Sequence, residues 1–221
     1  MEYPLQLRRQ QLRELIALGE STTVEFKRKF TSADKIAREI IAMANTSGGY
    51  LLIGVDDDGS IVGVESEKEV ESQIDRAMAS VVPELPVAID VVEIEWKDVL
   101  VIRIPRSSVK PHRQMGDDPN ERPHERKAFI RTGEQSVQAS KEMTKILALQ
   151  NPDAPSLVVT IGDRERRLFS YMERYGSVRI PDFAKLVNIS RRRASQILIK
   201  LVRAGVVQIH HDAGGDFFTL A

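Results

Sequence analysis

Asn188-Ile189-Ser190-Arg191-Arg192-Arg193-Ala194-Ser195-Gln196-Ile197-Leu198-Ile199-Lys200-Leu201-Val202-Arg203-Ala204-Gly205 carries the start, body and stop of one helix. Ser190 offers a side-chain oxygen to the first turn. Ile197, Leu198 and Leu201 recur at helical spacing and define an inward side. Gly205 stands where a left-handed stop belongs. A helix is therefore expected over Arg191 to Ala204. Reading backwards, Asn188-Ile189-Ser190 leaves room only for a tight connection. Before it, Ile180 enters a short helix with Pro181 in its first turn and Phe183, Ala184, Leu186 and Val187 as core. Before that, Arg164 to Tyr175 is amphipathic, with Leu168, Phe169 and Met172 inward and Gly176 as its end. Reading forwards, Val206 to Ile209 and Phe217 to Leu220 read as a β-hairpin across a polar turn containing Gly214-Gly215.

Three helices followed by a hairpin resemble the winged helix-turn-helix, over residues 163–221. The resemblance implies that the start of the third helix enters the major groove of DNA. Arg191, Arg192 and Arg193 stand there, and Arg forks onto guanine or neutralises phosphate. Ser195, Gln196 and Lys200 extend that polar face by one or two turns, and His210 and His211 lie on the hairpin, at the wing. Winged helices also serve as protein-interaction modules, so a scaffold with no nucleic-acid role stays open. The two histidines read as polar wing residues and not as metal ligands.

Charge supports the same division. The chain has 221 residues with 32 Lys+Arg and 32 Asp+Glu, a net charge of zero that hides an asymmetry. Residues 163–221 carry eleven basic and six acidic side chains, whereas residues 56–98 carry three basic and thirteen acidic ones. The absence of Cys excludes disulfides and Cys-based zinc sites. Met1-Glu2-Tyr3-Pro4 lacks the basic and apolar regions of a signal peptide. No apolar run approaches the roughly 20 residues that span a bilayer. A cytoplasmic location without a membrane partner is expected.

The N-terminal part alternates helix and strand signals. Leu5 to Leu18 reads as a helix, with Leu5, Leu12, Leu15, Ile16 and Leu18 apolar and Gly19 ending it. Val24 to Lys27 is a short strand, and Thr31 or Ser32 caps a helix running to about Asn45. Gly48-Gly49 permits a tight helix-to-strand turn before the apolar run Tyr50 to Val55, a buried strand. Asp57-Asp58-Gly59 is a turn, Ile61 to Val64 returns as a strand, and Lys68 to Val82 is helical. Val87 to Trp96 and Val99 to Ile104 form a hairpin about Lys97-Asp98. Pro105 to Arg126 is a long loop, Ala128 to Arg131 a strand, and Ser140 caps a helix ending near Gln150. The expected plan is an α/β (α+β) domain over 1–150, a linker over 151–162 opening on Asn151-Pro152-Asp153-Ala154-Pro155-Ser156, and a small domain over 163–221.

Three motifs in the first domain point to one family. Glu20-Ser21-Thr22-Thr23-Val24-Glu25-Phe26-Lys27 opens it. The stretch from Ala42-Met43-Ala44-Asn45-Thr46-Ser47-Gly48-Gly49 to Asp56-Asp57-Asp58-Gly59 forms its centre. Lys110-Pro111-His112 and Phe129-Ile130-Arg131-Thr132-Gly133 close it. In this order they resemble the Schlafen AlbA-type domain over most of residues 5–150. The resemblance implies a mixed α/β fold tied to nucleic acid. Bacterial members with an attached helix-turn-helix are commonly regarded as transcriptional regulators. Some members carry an ATPase label, but no G-x-x-x-x-G-K-[ST] loop occurs in this chain. Animal members hold two such lobes; a homodimer would supply the second here and would suit two half-sites on DNA.

Some members resemble a nuclease with three acidic residues in one groove. By that resemblance Glu20 and Glu25 match the first two, and the third falls at the Asp56-Asp57 turn. Such carboxylates would be catalytic and would hold Mg2+ or Mn2+, with Lys27 steadying developing charge. The alternative is structural: Glu20 follows a helix end, Glu25 pairs with Lys27 or Arg131, and Asp56 to Asp58 form a turn. The long loop carries Arg106, Lys110, His112, Arg113, Arg122, His124, Arg126 and Lys127, a basic stretch for phosphate, interrupted by Asp117, Asp118, Glu121 and Glu125. Of these, Lys110, Arg113 and Lys127 are the expected nucleic-acid contacts. The leading expectation is a dimeric DNA-binding regulator acting on double-stranded DNA and needing no cofactor. The rivals are a metal-dependent ribonuclease on structured RNA and an interaction scaffold.

Overall fold

The computed structural model describes residues 7–116, 118 and 120–221, so Leu5 and Asp117 lie outside the described residues. The chain divides into two compact units, Met1–Gln138 and Ala139–Ala221.

In the first unit, α1 (Arg9–Leu18) precedes β1 (Val24–Lys27), α2 (Ala33–Asn45) and β2 (Gly49–Ile53). Strands β1 and β2 pair in parallel, from Val24 opposite Tyr50 to Lys27 opposite Ile53. Then come α3 (Glu67–Met78), the short β3 (Val81–Val82), β4 (Ala88–Ile94) and β5 (Lys97–Ile104). The main sheet has the order β1-β2-β5-β4, with β5 antiparallel to both neighbours. Side chains alternate between its two faces. Leu51, Ile53, Leu100, Ile102 and Ile104 join Ile36, Ile40 and Ile41 of α2 and Ile74 of α3 on one side. Val24, Phe26, Leu52, Val99 and Val101 join Leu12 of α1 on the other. Because both faces are covered, the central strands read as unbroken apolar runs rather than as alternation.

Gly49 closes this arrangement. It has φ 151°, and a Cβ there would lie 2.2 Å from the carbonyl oxygen of Thr23. The approach lets Tyr50 N–H donate to that oxygen at 2.8 Å, which starts the parallel pairing.

β6 (Arg113–Gln114) pairs with β3, and β7 (Phe129–Thr132) pairs with β8 (Gln135–Gln138). Several boundaries differ from the sequence reading. The β4–β5 turn is Glu95-Trp96, both at positive φ, because Ile94 pairs with Lys97. Ile61 to Val64 is no strand: Ile61 makes one bridge to Val55, and Gly63 turns the chain at φ 75°. The expected third helix stops at Met78 and its tail becomes β3. Leu18, expected on the apolar side of α1, is exposed.

The second unit begins with α4 (Lys141–Ala148), followed by α5 (Asp163–Tyr175), α6 (Ile180–Leu186), α7 (Arg191–Arg203), β9 (Val207–Asp212) and β10 (Gly215–Leu220). Leu168, Met172, Phe183, Leu198, Leu201 and Phe218 form its core. Val178, between α5 and α6, exchanges two 2.9 Å backbone bonds with Phe218, seating the hairpin on the helices. The unit boundary falls at 138/139 rather than at 150/151. The physical reason is that α4 packs on α7: Ser195 Oγ donates to Glu142 Oε1 at 3.0 Å, and Ser140 Oγ donates to Asp216 Oδ2 of β10. Residues 151–162 hold no helix or strand.

Candidate nucleic-acid interface

Helix α7 begins at Ser190, whose Oγ accepts from Arg193 N–H at 3.3 Å. Ala194, Leu198 and Leu201 are buried in the core. Helical geometry then turns Arg193, Gln196 and Lys200 outward, and all three are exposed, as are Arg191 and Arg192 at the first turn. Among the described residues none of these four cations on α7 has an acidic partner. Several other surface arginines are paired: Arg9 with Glu93, Arg13 with Glu95, Arg28 with Asp56 and Arg122 with Glu125.

Two depressions flank the outward face. One of about 700 Å3 lies against α4 and brings Lys145 beside Arg193, Gln196 and Lys200. Another of about 210 Å3 lies towards α5 and brings Arg164 beside Arg193 and Lys200. Ser195 does not belong to this face. It is 5% exposed and bonded to Glu142, because α4 covers that flank of α7. The same cover buries Ile199, while Ile197, expected as core, is only partly buried.

The hairpin is fixed by Arg179. Its Nη2 donates to both Asp212 oxygens at 2.9 and 2.7 Å, its Nη1 donates to Gly215 O at 3.0 Å, and the guanidinium stands 5.6 Å over the Phe217 ring. That pairing holds the Asp212 carboxyl below the usual range. His210 stacks on Phe217, its cross-strand partner, at 5.0 Å, and its Nε2 lies 3.0 Å from Thr219 Oγ1. His211 faces Asp216 at 2.8 Å. Both histidines are therefore built into the hairpin while staying partly exposed.

The carboxylates of the opening motif have other partners. Glu20 Oε1 accepts from Phe26 N–H at 2.9 Å; burial first, then the nearby charges of Glu25 and Asp57, lift its carboxyl above the usual range. Glu25 is buried and binds Lys27 through one oxygen and Arg131 through the other, at 2.8 Å. Arg131, also buried, reaches Glu39 at 3.1 Å and Ser21 O at 2.6 Å. Asp56 pairs with Arg28 and accepts from Asp57 N–H at 3.1 Å. A divalent cation needs several free oxygen donors. Among the described residues no group of three or more His, Asp or Glu side chains is placed to hold a metal. Glu20, Glu25 and Asp56 as arranged do not fit Mg2+ or Mn2+, because cations of the chain already occupy two of them.

Much of the basic loop also turns inward. Lys110 is buried, and its Nζ donates to Asn45 O at 2.8 Å and Thr46 O at 3.3 Å, closing the C-terminal end of α2. Burial lowers this ammonium to about 8. Lys110 is thus a helix cap and not a phosphate contact. His112 is buried too, with Nδ1 2.8 Å from Pro83 O and Nε2 2.7 Å from Ser107 Oγ; burial holds its imidazole below the usual range. Arg113 donates to Arg126 O at 2.8 Å and is half-buried. Lys127 stays exposed.

Asn45 organises this region and was not singled out in the sequence. Its Nδ2 donates to His112 O and Phe129 O, both at 2.9 Å, and its Oδ1 accepts from His112 N–H at 2.8 Å. The central and closing motifs therefore meet at one side chain. A polar residue on the last turn of an apolar helix was the available signal. Lys145 was also missed, since the basic count began after α4.

A family model described as Schlafen, AlbA_2 matches residues 20–140. Two solved structures are similar to the chain. One is the solution structure of the N-terminal domain of a RecG-related protein from Nitrosomonas europaea, at 26% identity over 48% of this chain and 79% of that one, with a TM-score of 0.39. The other is the crystal structure of the DIP2311 protein from Corynebacterium diphtheriae, at 20% identity over 90% of this chain and 34% of that one, with a TM-score of 0.45. The chain thus spans about a third of the second protein's length. The family match covers more than half of the residues and contains the three motifs that meet around Asn45 and Arg131, so the chain belongs to the Schlafen AlbA_2 family.

Proposed function

We propose that the protein binds double-stranded DNA through α7 and the β9–β10 hairpin, as a winged helix-turn-helix, and acts as a transcriptional regulator. The observation that carries this reading is the cationic face of α7, where Arg191, Arg192, Arg193 and Lys200 have no acidic partner among the described residues. An unpaired cationic helix face repels itself and gains by neutralising phosphate. Gln196, between Arg193 and Lys200, has the amide that reads adenine. Arg191 and Arg192 occupy the first turn, and in this reading the partly exposed His210 of the hairpin adds a backbone or minor-groove contact. The half-buried Arg113 and the exposed Lys127 of the first unit are left as additional phosphate contacts. A dimer would read two half-sites about one DNA turn apart.

The test is duplex binding by the full chain with Arg193→Ala and Lys200→Ala combined. Each lost phosphate contact lowers the salt slope by about one. The expected result is weaker binding and a slope smaller by about two for each protomer bound. Unchanged affinity and slope would remove α7 from the interface.

A further inference from the structure

We infer that the cavity between α2 and the β7–β8 hairpin binds a single nucleotide unit, as a free nucleotide or as an unpaired residue of a single strand. The site lies wholly in the first unit and does not depend on the reading of α7. Its volume is about 420 Å3. That falls towards the small end of ligand pockets, which run from about 300 to 1,000 Å3. The size exceeds what a bare phosphate fills and suits one base with its sugar and phosphate.

The charges in the cavity are unequally used. Asp34 accepts from Gln114 Nε2 at 3.2 Å. Glu121 accepts from Gly116 N–H at 2.8 Å and faces Arg126 at 3.8 Å. Arg126 therefore matches the Glu121 charge, whereas the neutral Gln114 amide leaves the Asp34 charge in place. The two cations, Arg38 and Lys127, have no acidic partner among the described residues. Two cations stand against one unmatched acid, Asp34, so the excess charge is positive and the cavity favours an anion.

The remaining walls explain why that anion carries a planar group. The Arg38 guanidinium stands 5.2 Å over the Phe129 ring, and a guanidinium plane is a stacking surface for an unpaired base. Met115 adds an apolar contact beside it. Gln138, opposite Phe129 in the β7–β8 ladder, brings an amide that pairs with a base edge. In this arrangement Lys127 takes the phosphate, Arg38 the base face and Gln138 its edge.

The test uses the full chain with two probes, fluorescently labelled adenosine monophosphate and a short labelled oligothymidylate, read by anisotropy. Lys127 is exposed, so Lys127→Glu keeps the fold, which a melting curve verifies; Arg38→Ala is the second variant. If the mononucleotide binds, and Lys127→Glu weakens it about tenfold while Arg193→Ala with Lys200→Ala does not, the site takes a free nucleotide. If only the oligonucleotide binds, with the same variant pattern, the site takes an unpaired residue of a strand. Binding of neither probe, or binding that survives both Lys127→Glu and Arg38→Ala, overturns the inference. Loss of duplex binding in the α7 variants leaves it untouched, so the two readings fail separately.

Discussion

Glu25 shows what a single residue type leaves open. Its position in the opening motif suits a catalytic carboxylate, and its spacing from Glu20 fits that role. The structure instead buries it between Lys27 and Arg131. Breaking a buried ion pair by removing one partner leaves the other charge uncompensated. Arg131 keeps Glu39, so the loss is partial, and Glu25→Ala is expected to lower unfolding free energy by about 2 kcal/mol in urea denaturation. A variant as stable as the parent would show that Arg131 does not need this partner and would revive the catalytic role. Lys110 teaches the same lesson in reverse. A lysine in a basic loop reads as a phosphate ligand, but its ammonium caps α2. Nothing local distinguishes the two outcomes, because they depend on where a distant helix ends. Asn45 was legible as an oddity, a polar residue in an apolar turn, although its partners were not.

At the level of elements, periodicity located nearly every helix and the long strands, and it failed where a short or turning segment carried little pattern. α7 was read to within one residue from its cap and stop. β8 was not anticipated, since Gln135 to Gln138 has one apolar residue. The β4–β5 turn was displaced because Lys97-Asp98 looks like a turn and Trp96 looks like core. Trp96 is instead 94% exposed at φ 63°. An L-residue in the left-handed region costs roughly 1–2 kcal/mol, and glycine avoids that cost while losing some backbone entropy. Trp96→Gly is expected to raise stability by about 0.5 kcal/mol, measured as a shift in denaturant midpoint. A destabilised variant would mean that the indole makes a contact worth more than the strain. The packing of α4 on α7 was out of reach for a different reason. It depends on which flank of a two-sided helix finds a partner, and that decided the burial of Ser195 and Ile199 together.

The whole molecule balances 32 basic against 32 acidic side chains, yet the balance is uneven along the chain. Several surface arginines of the first unit find carboxylates, while α7 in the second gathers four cations without an acidic partner among the described residues on one helix. The charge asymmetry is legible in the counts for 163–221 and 56–98, and it supports the proposal of a nucleic-acid partner over an inert scaffold. Among the described residues no helix is long and apolar enough to cross a membrane. The most direct test of the central claim is a salt titration of the unmodified chain on duplex DNA and on structured RNA, with and without Mn2+, following binding and cleavage. Each phosphate contact contributes about 0.9 to the slope of log affinity against log salt on B-DNA. Four cations on α7 predict a duplex slope of about −3 to −4 for each protomer bound, no dependence on Mn2+ and no loss of substrate. Salt-independent binding, or Mn2+-dependent loss of RNA, would contradict the account.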